Sequence, residues 1–143
     1  MKISEVVAGK ASQNIITISP DASVRDLVAL LASNNIGAAV VSSDGSTVAG
    51  IVSERDVVRR LNGNDGALDA TVAEIMTSNV RTCESSSSLD EVRSIMTEGR
   101  FRHLPVVDGG RLVGVVSIGD IVKNHIDQVE FERDQLDSYV HQT

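Results

Sequence analysis

A mixed α/β (α+β) fold, made of two β-α-β-β-α repeats packed as a pseudo-two-fold pair and followed by a C-terminal helix, is predicted by three features of this sequence. The chain repeats itself once; helical and strand periodicities alternate inside each copy; and the composition suits a packed core. Of 143 residues, 41% are hydrophobic and 23% charged, inside the globular range and far from that of disordered chains. With aromatics at only 2%, the core has to come from Val, Ile, Leu and Ala.

The repeat is read at an offset of 65 residues. Ile16-Thr17-Ile18 matches Arg81-Thr82-Cys83, and Asn35-Ile36-Gly37-Ala38 matches Arg100-Phe101-Arg102-His103. Beyond the Asp44-Gly45 and Gly109-Gly110 turns the offset falls to 64, which pairs Gly50-Ile51-Val52-Ser53-Glu54-Arg55-Asp56 with Gly114-Val115-Val116-Ser117-Ile118-Gly119-Asp120. A one-residue deletion in a turn is what a duplicated unit tolerates best.

Each copy opens with a short strand, expected at 15–18 and 80–83. A helix follows, with apolar residues at helical spacing: Val24, Leu27, Val28 and Leu31, then Leu89, Val92, Ile95 and Met96. Ser23 with Asp26 and Ser88 with Glu91 mark the helix starts as capping boxes. Strands at 38–42 and 47–52, and at 103–107 and 111–116, flank Asp44-Gly45 and Asp108-Gly109-Gly110 turns. A second helix begins near Ser53 and Ser117. The division expected is an N-terminal segment 1–11, repeat one at about 12–61, repeat two at about 77–124, the module filling 1–124, and an amphipathic helix over 125–143. A unit of about 50 residues buries little surface alone, so the repeats are expected to share one core.

From about residue 121 the apolar positions Val122, Ile126, Val129, Leu136 and Val140 follow steps of four and three, interrupted by Arg133. Two roles fit this stripe: packing on its own domain, or dimerisation. Phe131 and Tyr139 lie off it.

Charge and composition exclude several functions. Thirteen basic against twenty acidic residues give a net charge of −7, the wrong sign for nucleic acid or an anionic membrane. One cysteine cannot form an internal disulfide, and MKISEVVAGK lacks the apolar run of a signal peptide. No stretch approaches the ~20 apolar residues that span a bilayer. A cytoplasmic protein is expected. Walker, G-x-G-x-x-G, H-E-x-x-H, C-x-x-C and G-x-S-x-G signatures are absent. His103, His125 and His141 are too scattered to suggest a metal site, and Cys83 reads as a small core or edge residue. Neither an enzyme nor an obligatory cofactor is expected.

The informative motif is Gly-apolar-apolar-Ser-x-x-Asp, at Gly50–Asp56 and Gly114–Asp120. Ser-x-x-Asp caps a helix by itself, as at Ser23 and Ser88. It also sets a strand end, a hydroxyl and a carboxylate at a helix N-terminus, where N–H groups and the macrodipole attract anions. A carboxylate repels phosphate but accepts two hydrogen bonds from a ribose diol. Asp56 and Asp120 thus suit a sugar, and Arg55, Arg100, Arg102 and His103 are the cations at hand for a phosphate.

The doubled pattern closely resembles the CBS-domain family, whose name derives from cystathionine β-synthase. It is carried by Ile-Thr-Ile-Ser-Pro-Asp-Ala at 16–22, Asn-Ile-Gly-Ala at 35–38, Gly-Ile-Val-Ser-Glu-Arg-Asp at 50–56, Glu-Ile-Met-Thr at 74–77, His-Leu-Pro-Val-Val-Asp at 103–108 and Gly-Val-Val-Ser-Ile-Gly-Asp at 114–120. The resemblance implies a tandem CBS pair, or Bateman module, with two related clefts for adenosine compounds: AMP, ADP, ATP, S-adenosylmethionine or NAD. It places Thr17 and Thr82 in the clefts, Ser53, Asp56, Ser117 and Asp120 on phosphate and ribose, and backbone beside Ile16, Ala38, Arg81 and Leu104 on the adenine edge. It further implies a disc-like homodimer and, with no catalytic or transporter domain to control, action in trans on an unknown partner protein.

Two departures from the family pattern stand out. Ala38-Ala39-Val40-Val41 replaces the proline-containing strand that repeat two keeps at Pro105, and Gly119 stands where Arg55 does. Unequal clefts are expected. Of the competing functions, a structural interaction module with vestigial clefts uses the serines only as caps, and an oxidoreductase holding NAD lacks an evident acid or base.

Overall fold

The computed structural model describes residues 1–10 and 14–141; the expected boundary near residue 12 lies outside them. The elements run α1 (Ile3–Ala8), β1 (Thr17–Ile18), α2 (Val24–Asn34), β2 (Ala38–Val41), β3 (Gly50–Ser53), α3 (Glu54–Leu61), a 3-10 turn (Ala67–Asp69), α4 (Val72–Ile75), α5 (Leu89–Gly99), β4 (His103–Asp108), β5 (Arg111–Ser117) and α6 (Ile118–His141). The β-α-β-β-α order therefore occurs twice, except that the leading strand of the second copy is reduced to one bridge, Cys83 with Val106.

The chain forms two compact units, and neither is one continuous stretch. One comprises residues 14–82 and 107–113, the other 1–13, 83–106 and 114–143. Each has its own apolar cluster, so the single shared core expected from the sequence is replaced by two. In the first, Val24, Leu27, Leu31, Ala39, Val41, Val52 and Val72 pack together. In the second, Ile3 and Val6 of α1 pack with Leu89, Val92, Met96, Leu104, Val106, Val116 and Ile121. A six-residue helix is marginal by itself. Here α1 is held because two buried apolar side chains and the bonds of Ile3 N–H to Ser87 O and of Ser4 N–H to Ser85 O fix it.

β1, β2 and β3 form a three-stranded sheet in that order, β1 parallel and β3 antiparallel to β2. The strand expected over 47–52 starts only at Gly50. Asp44 Oδ1 takes the Ser46 and Thr47 N–H groups at 2.8 Å each, so these donors are unavailable to a ladder. The Thr47 amide first, then the Ser46 amide and the Thr47 hydroxyl, hold that carboxyl far below the usual range.

The strand expected over 80–83 fails for a related reason. Its partner step on β4 is Pro105, which has no N–H to donate, and Arg81 and Thr82 are exposed outside any strand. The strand expected over 15–18 is likewise shorter, with only Thr17 and Ile18 paired.

α2 and α5 begin where the serines predicted. Ser23 Oγ accepts from Asp26 N–H at 3.0 Å and Ser88 Oγ from Glu91 N–H at 3.1 Å. Only at Ser88 does the acid return the bond, Ser88 N–H to Glu91 at 3.3 Å. Both helices end on a non-glycine residue in the left-handed region, Asn35 (φ 52°) and Arg100 (φ 56°), which is uncommon outside Gly, Asn and Asp. Arg100 thus has a structural post as a helix terminator.

Of the apolar stripe of α2, Leu27 is fully buried while Val28 is 40% exposed. Leu27→Ala is therefore expected to cost about 2–5 kcal/mol, and Val28→Ala no more than about 0.5 kcal/mol, read from urea denaturation midpoints. Equal costs would place α2 in the wrong rotation.

Candidate functional site

Register decides which residues face together. Thr17 pairs with Val40, and Ala38 pairs with Ser53. Since alternate residues of a strand share a face, Thr17, Ala38, Val40, Ile51 and Ser53 line one side of the sheet. The other side carries Ile18, Ala39, Val41 and Val52, all in the apolar cluster. Three predicted site residues from three strands therefore meet on the face turned away from that cluster, each half-buried. Ile16, also half-buried, leads into β1.

The sheet face ends at the start of α3. Ser53 closes β3 and caps α3, its N–H donating to Asp56 Oδ2 at 2.8 Å, its hydroxyl donating to the same oxygen at 3.1 Å, and its Oγ accepting from Asp56 N–H at 3.4 Å. The junction is clamped to β2 by Glu54 N–H to Gly37 O at 2.9 Å. All these bonds use Oδ2; Asp56 Oδ1 has no partner among the described residues. Arg55, in the first turn of α3, is exposed and has no carboxylate partner among the described residues.

The second junction repeats this arrangement. Ser117 N–H donates to Asp120 Oδ2 at 2.9 Å and Ser117 Oγ accepts from Asp120 N–H at 3.1 Å. Ile118 N–H donates to Arg102 O at 2.8 Å, the counterpart of the Glu54 to Gly37 bond, so His103 stands beside Ser117 as Ala38 does beside Ser53. Leu104 is buried in the unit's apolar cluster. Pro105 is buried, His103 half-buried, and Arg100, Arg102 and Gly119 exposed. Arg81 and Thr82 close the long segment of the other unit.

Both serines therefore act as caps, and both aspartates spend one oxygen on capping. The junctions differ in one respect that sequence inspection missed. Lys10 Nζ lies 3.0 Å from Asp120 Oδ2 and donates to Val115 O at 2.8 Å. No motif links residues 110 positions apart, so only the fold reveals this cation at the junction where Gly119 replaces an arginine. Burial pushes the Asp120 carboxyl up, but the Ser117 N–H, the Lys10 ammonium and the Ser117 hydroxyl together outweigh it and hold the group below its ordinary value.

An open apolar groove between α2 and α3, lined by Val28, Leu31, Ala32, Asn35, Ile36, Gly37, Glu54, Val57 and Val58, contains none of the predicted site residues. Among the described residues no group of His, Cys, Asp and Glu could hold a metal ion.

The sign of the Asp120 effect is testable. A carboxyl lowered in the folded state stabilises fully above its unfolded value of about 3.9, and that contribution disappears as pH falls through the folded value. Lys10→Met removes an opposing charge, so the Asp120 carboxyl is expected to titrate at higher pH in a carbon-13 NMR titration. An unmoved titration would remove Lys10 from the site.

Comparison with known proteins agrees with this arrangement. The family model described as "CBS domain" matches residues 3–63 and 72–127. The crystal structure of the CBS-domain containing protein ATU1752 from Agrobacterium tumefaciens is similar, with 39% identity, 87% of this chain and 99% of that chain covered, and a TM-score of 0.81. Two further similar structures hold ligands. CBSX2 in complex with AMP is 25% identical, with 90% and 98% covered and a TM-score of 0.76. The CBS domain pair of MJ0100, in complex with 5-methylthioadenosine and S-adenosyl-L-methionine, is 26% identical, with 87% and 99% covered and a TM-score of 0.77. With two matched repeats covering most of its length, each ending in a strand-to-helix junction of the same build, the chain belongs to the CBS-domain family.

Proposed function

We propose that this protein is a regulatory module, not an enzyme, which binds an adenosine-containing ligand and acts as a cytoplasmic homodimer on a partner protein. The observation that carries the ligand half is the Ser53–Asp56 junction. A hydroxyl, a helix N-terminus and an uncommitted carboxylate oxygen stand at the edge of a sheet face bearing Thr17 and Ala38. In this reading Asp56 Oδ1 accepts from a ribose diol while Oδ2 keeps the helix capped. Backbone beside Ile16 and Ala38 meets the adenine edge, and Arg55 meets a phosphate.

Ser117, Asp120, His103, Leu104 and Pro105 are proposed to play the corresponding parts in a second site, with Arg100 and Arg102 as further cations. AMP, methylthioadenosine and S-adenosylmethionine are the ligands of similar structures, and AMP, ADP, ATP and NAD are the candidates here. The first site is proposed to favour a phosphate-bearing ligand, because Arg55 has no carboxylate partner among the described residues. At the second, Lys10 already neutralises Asp120. A reducing compartment accords with a single cysteine, Cys83, that is buried.

Calorimetric titration and thermal shift with AMP, ATP, NAD and S-adenosylmethionine test this. At a ligand concentration 100 times Kd, the folded state gains about 2.7 kcal/mol. Asp56→Ala is expected to weaken AMP binding at least tenfold, beyond the cap loss of about 0.5–2 kcal/mol that lowers the unliganded melting point. If none of the four compounds shifts the wild-type melt, the junctions are caps alone and the chain is a structural interaction module. If AMP binds equally well to Asp56→Ala and Asp120→Ala, the ribose assignment is wrong.

A further inference from the structure

The glycine that opens each Gly-apolar-apolar-Ser-x-x-Asp motif makes room for a short helix. A Cβ on Gly114 would stand 3.2 and 3.3 Å from the two methyl groups of Val7 in α1, and one on Gly50 would stand 2.7 Å from Met76 Sδ, at the end of α4, and 2.8 Å from Thr77 O. The chain leaving each helix then meets the same carbonyl, one residue past the glycine. At the first junction Thr77 N–H donates to Ile51 O at 2.9 Å. At the second, Val115 O takes its bond from the side chain of Lys10 at 2.8 Å. A main-chain donor therefore suffices for this carbonyl, and the ammonium of Lys10 adds something else: a positive charge 3.0 Å from Asp120 Oδ2.

The second motif itself supplies no cation, since Gly119 stands where the first has Arg55. Nothing in the backbone demands that glycine. Its φ is not in the left-handed region, and a Cβ there would meet only Ser117 Oγ, at an ordinary 3.6 Å. Arg100 and Arg102 are exposed, and among the described residues neither pairs with Asp120. A bare carboxylate that holds a ribose diol repels a phosphate one sugar ring away, inside the screening length of ~8 Å at physiological salt. Lys10 offsets that repulsion. Its side chain is 30% exposed and that of Asp120 24%, so a ligand that reaches the carboxylate also meets the ammonium.

We propose that Lys10 is a specificity-determining residue of the second site: by holding a positive charge at Asp120 it lets that site accept a phosphate-bearing adenosine ligand, as Arg55 does at the first. This rests on the second site proposed above and names the residue that sets its charge preference. The two sites then reach the same preference by different routes, one with a cation inside the motif and one with a cation carried in from the end of α1.

The test uses full-length chains carrying Asp56→Ala, which silences the first site, and titrates AMP and adenosine by calorimetry. Adenosine shares the base and the sugar and lacks the phosphate. Lys10→Met in this background is expected to weaken AMP about tenfold and adenosine by no more than about twofold. Because Lys10 also ties the end of α1, Lys10→Gln, which keeps a donor for Val115 O, is measured beside it and is expected to show the same selective loss. Adding Gly119→Arg to either variant is expected to restore the preference for AMP, which a merely structural role of Lys10 would not allow. If AMP and adenosine weaken equally, Lys10 only props the junction; if Lys10→Gln binds AMP as tightly as its parent, the charge plays no part. Either result overturns the proposal and leaves the second site standing. If neither compound binds the Asp56→Ala protein, the second site and the role of Lys10 in it are both overturned.

Discussion

Two short helices, each lying before one repeat and packing with the other, complete the two cores of this structure. α1 precedes the first repeat in sequence but packs with the second, burying Ile3 and Val6 against Leu89, Val92 and Met96. α4 precedes the second repeat but packs with the first, burying Val72 against Val24 and Leu27. The two are built alike: Lys2 N–H donates to Glu5 at 2.9 Å and Thr71 N–H to Glu74 at 2.8 Å. Each then bridges to the serine that caps the long helix of its unit, Lys2 to Ser88 and Thr71 to Ser23. The second core is therefore not a continuous segment, since it takes Ile3 and Val6 from before the first repeat, whereas the first core draws its side chains from the continuous stretch 14–82.

The exchange also explains why the two junctions are unequal. Because α1 belongs with the second repeat, the residue just beyond it, Lys10, arrives at Asp120 and Val115. Counting by the same offset that superposes α1 on α4, Ile3 on Val72 and Glu5 on Glu74, the counterpart of Lys10 is Asn79. That residue is neutral, so Asp56 receives no equivalent cation. The first junction instead has Arg55 in its helix's first turn, where the second has Gly119. One junction carries its positive charge on an exposed arginine with no carboxylate partner among the described residues; the other spends it on its own aspartate.

Much of this was legible in the sequence, because long periodic segments and capping serines act locally. α2 and α5 start where Ser23 and Ser88 place them, and the two strand-to-helix junctions lie at the doubled Gly-apolar-apolar-Ser-x-x-Asp motif. What escaped was either too short or too distant. α1 and α4 are six and four residues long, below the length at which helical periodicity registers. Lys10 meets its partner only through tertiary structure. The strand expected near residue 47 loses its donors to Asp44, and the one near 80 loses a ladder donor at Pro105. These are interactions between neighbours in space that propensity and pattern do not weigh. The separate helix over 125–143 likewise does not stand apart: residues 118–141 form one unbroken helix.

Capping and ligand binding at the same aspartate are not rivals. A capping box needs one acceptor to satisfy the N–H of the capping residue, and a carboxylate has two oxygens with room for about four hydrogen bonds. At Asp56 the cap uses Oδ2 alone. The same contact that starts the helix fixes the carboxylate's rotation and holds its second oxygen in place without a separate support. Ser23 with Asp26 shows what is missing elsewhere: there the serine caps, but the acid makes no return bond to the serine and stays exposed. What distinguishes the two junctions from ordinary helix starts is the strand that runs directly into them. It delivers a rigid backbone edge to the helix N-terminus, so that a small polar ligand would meet a surface whose donors and acceptors are already in position.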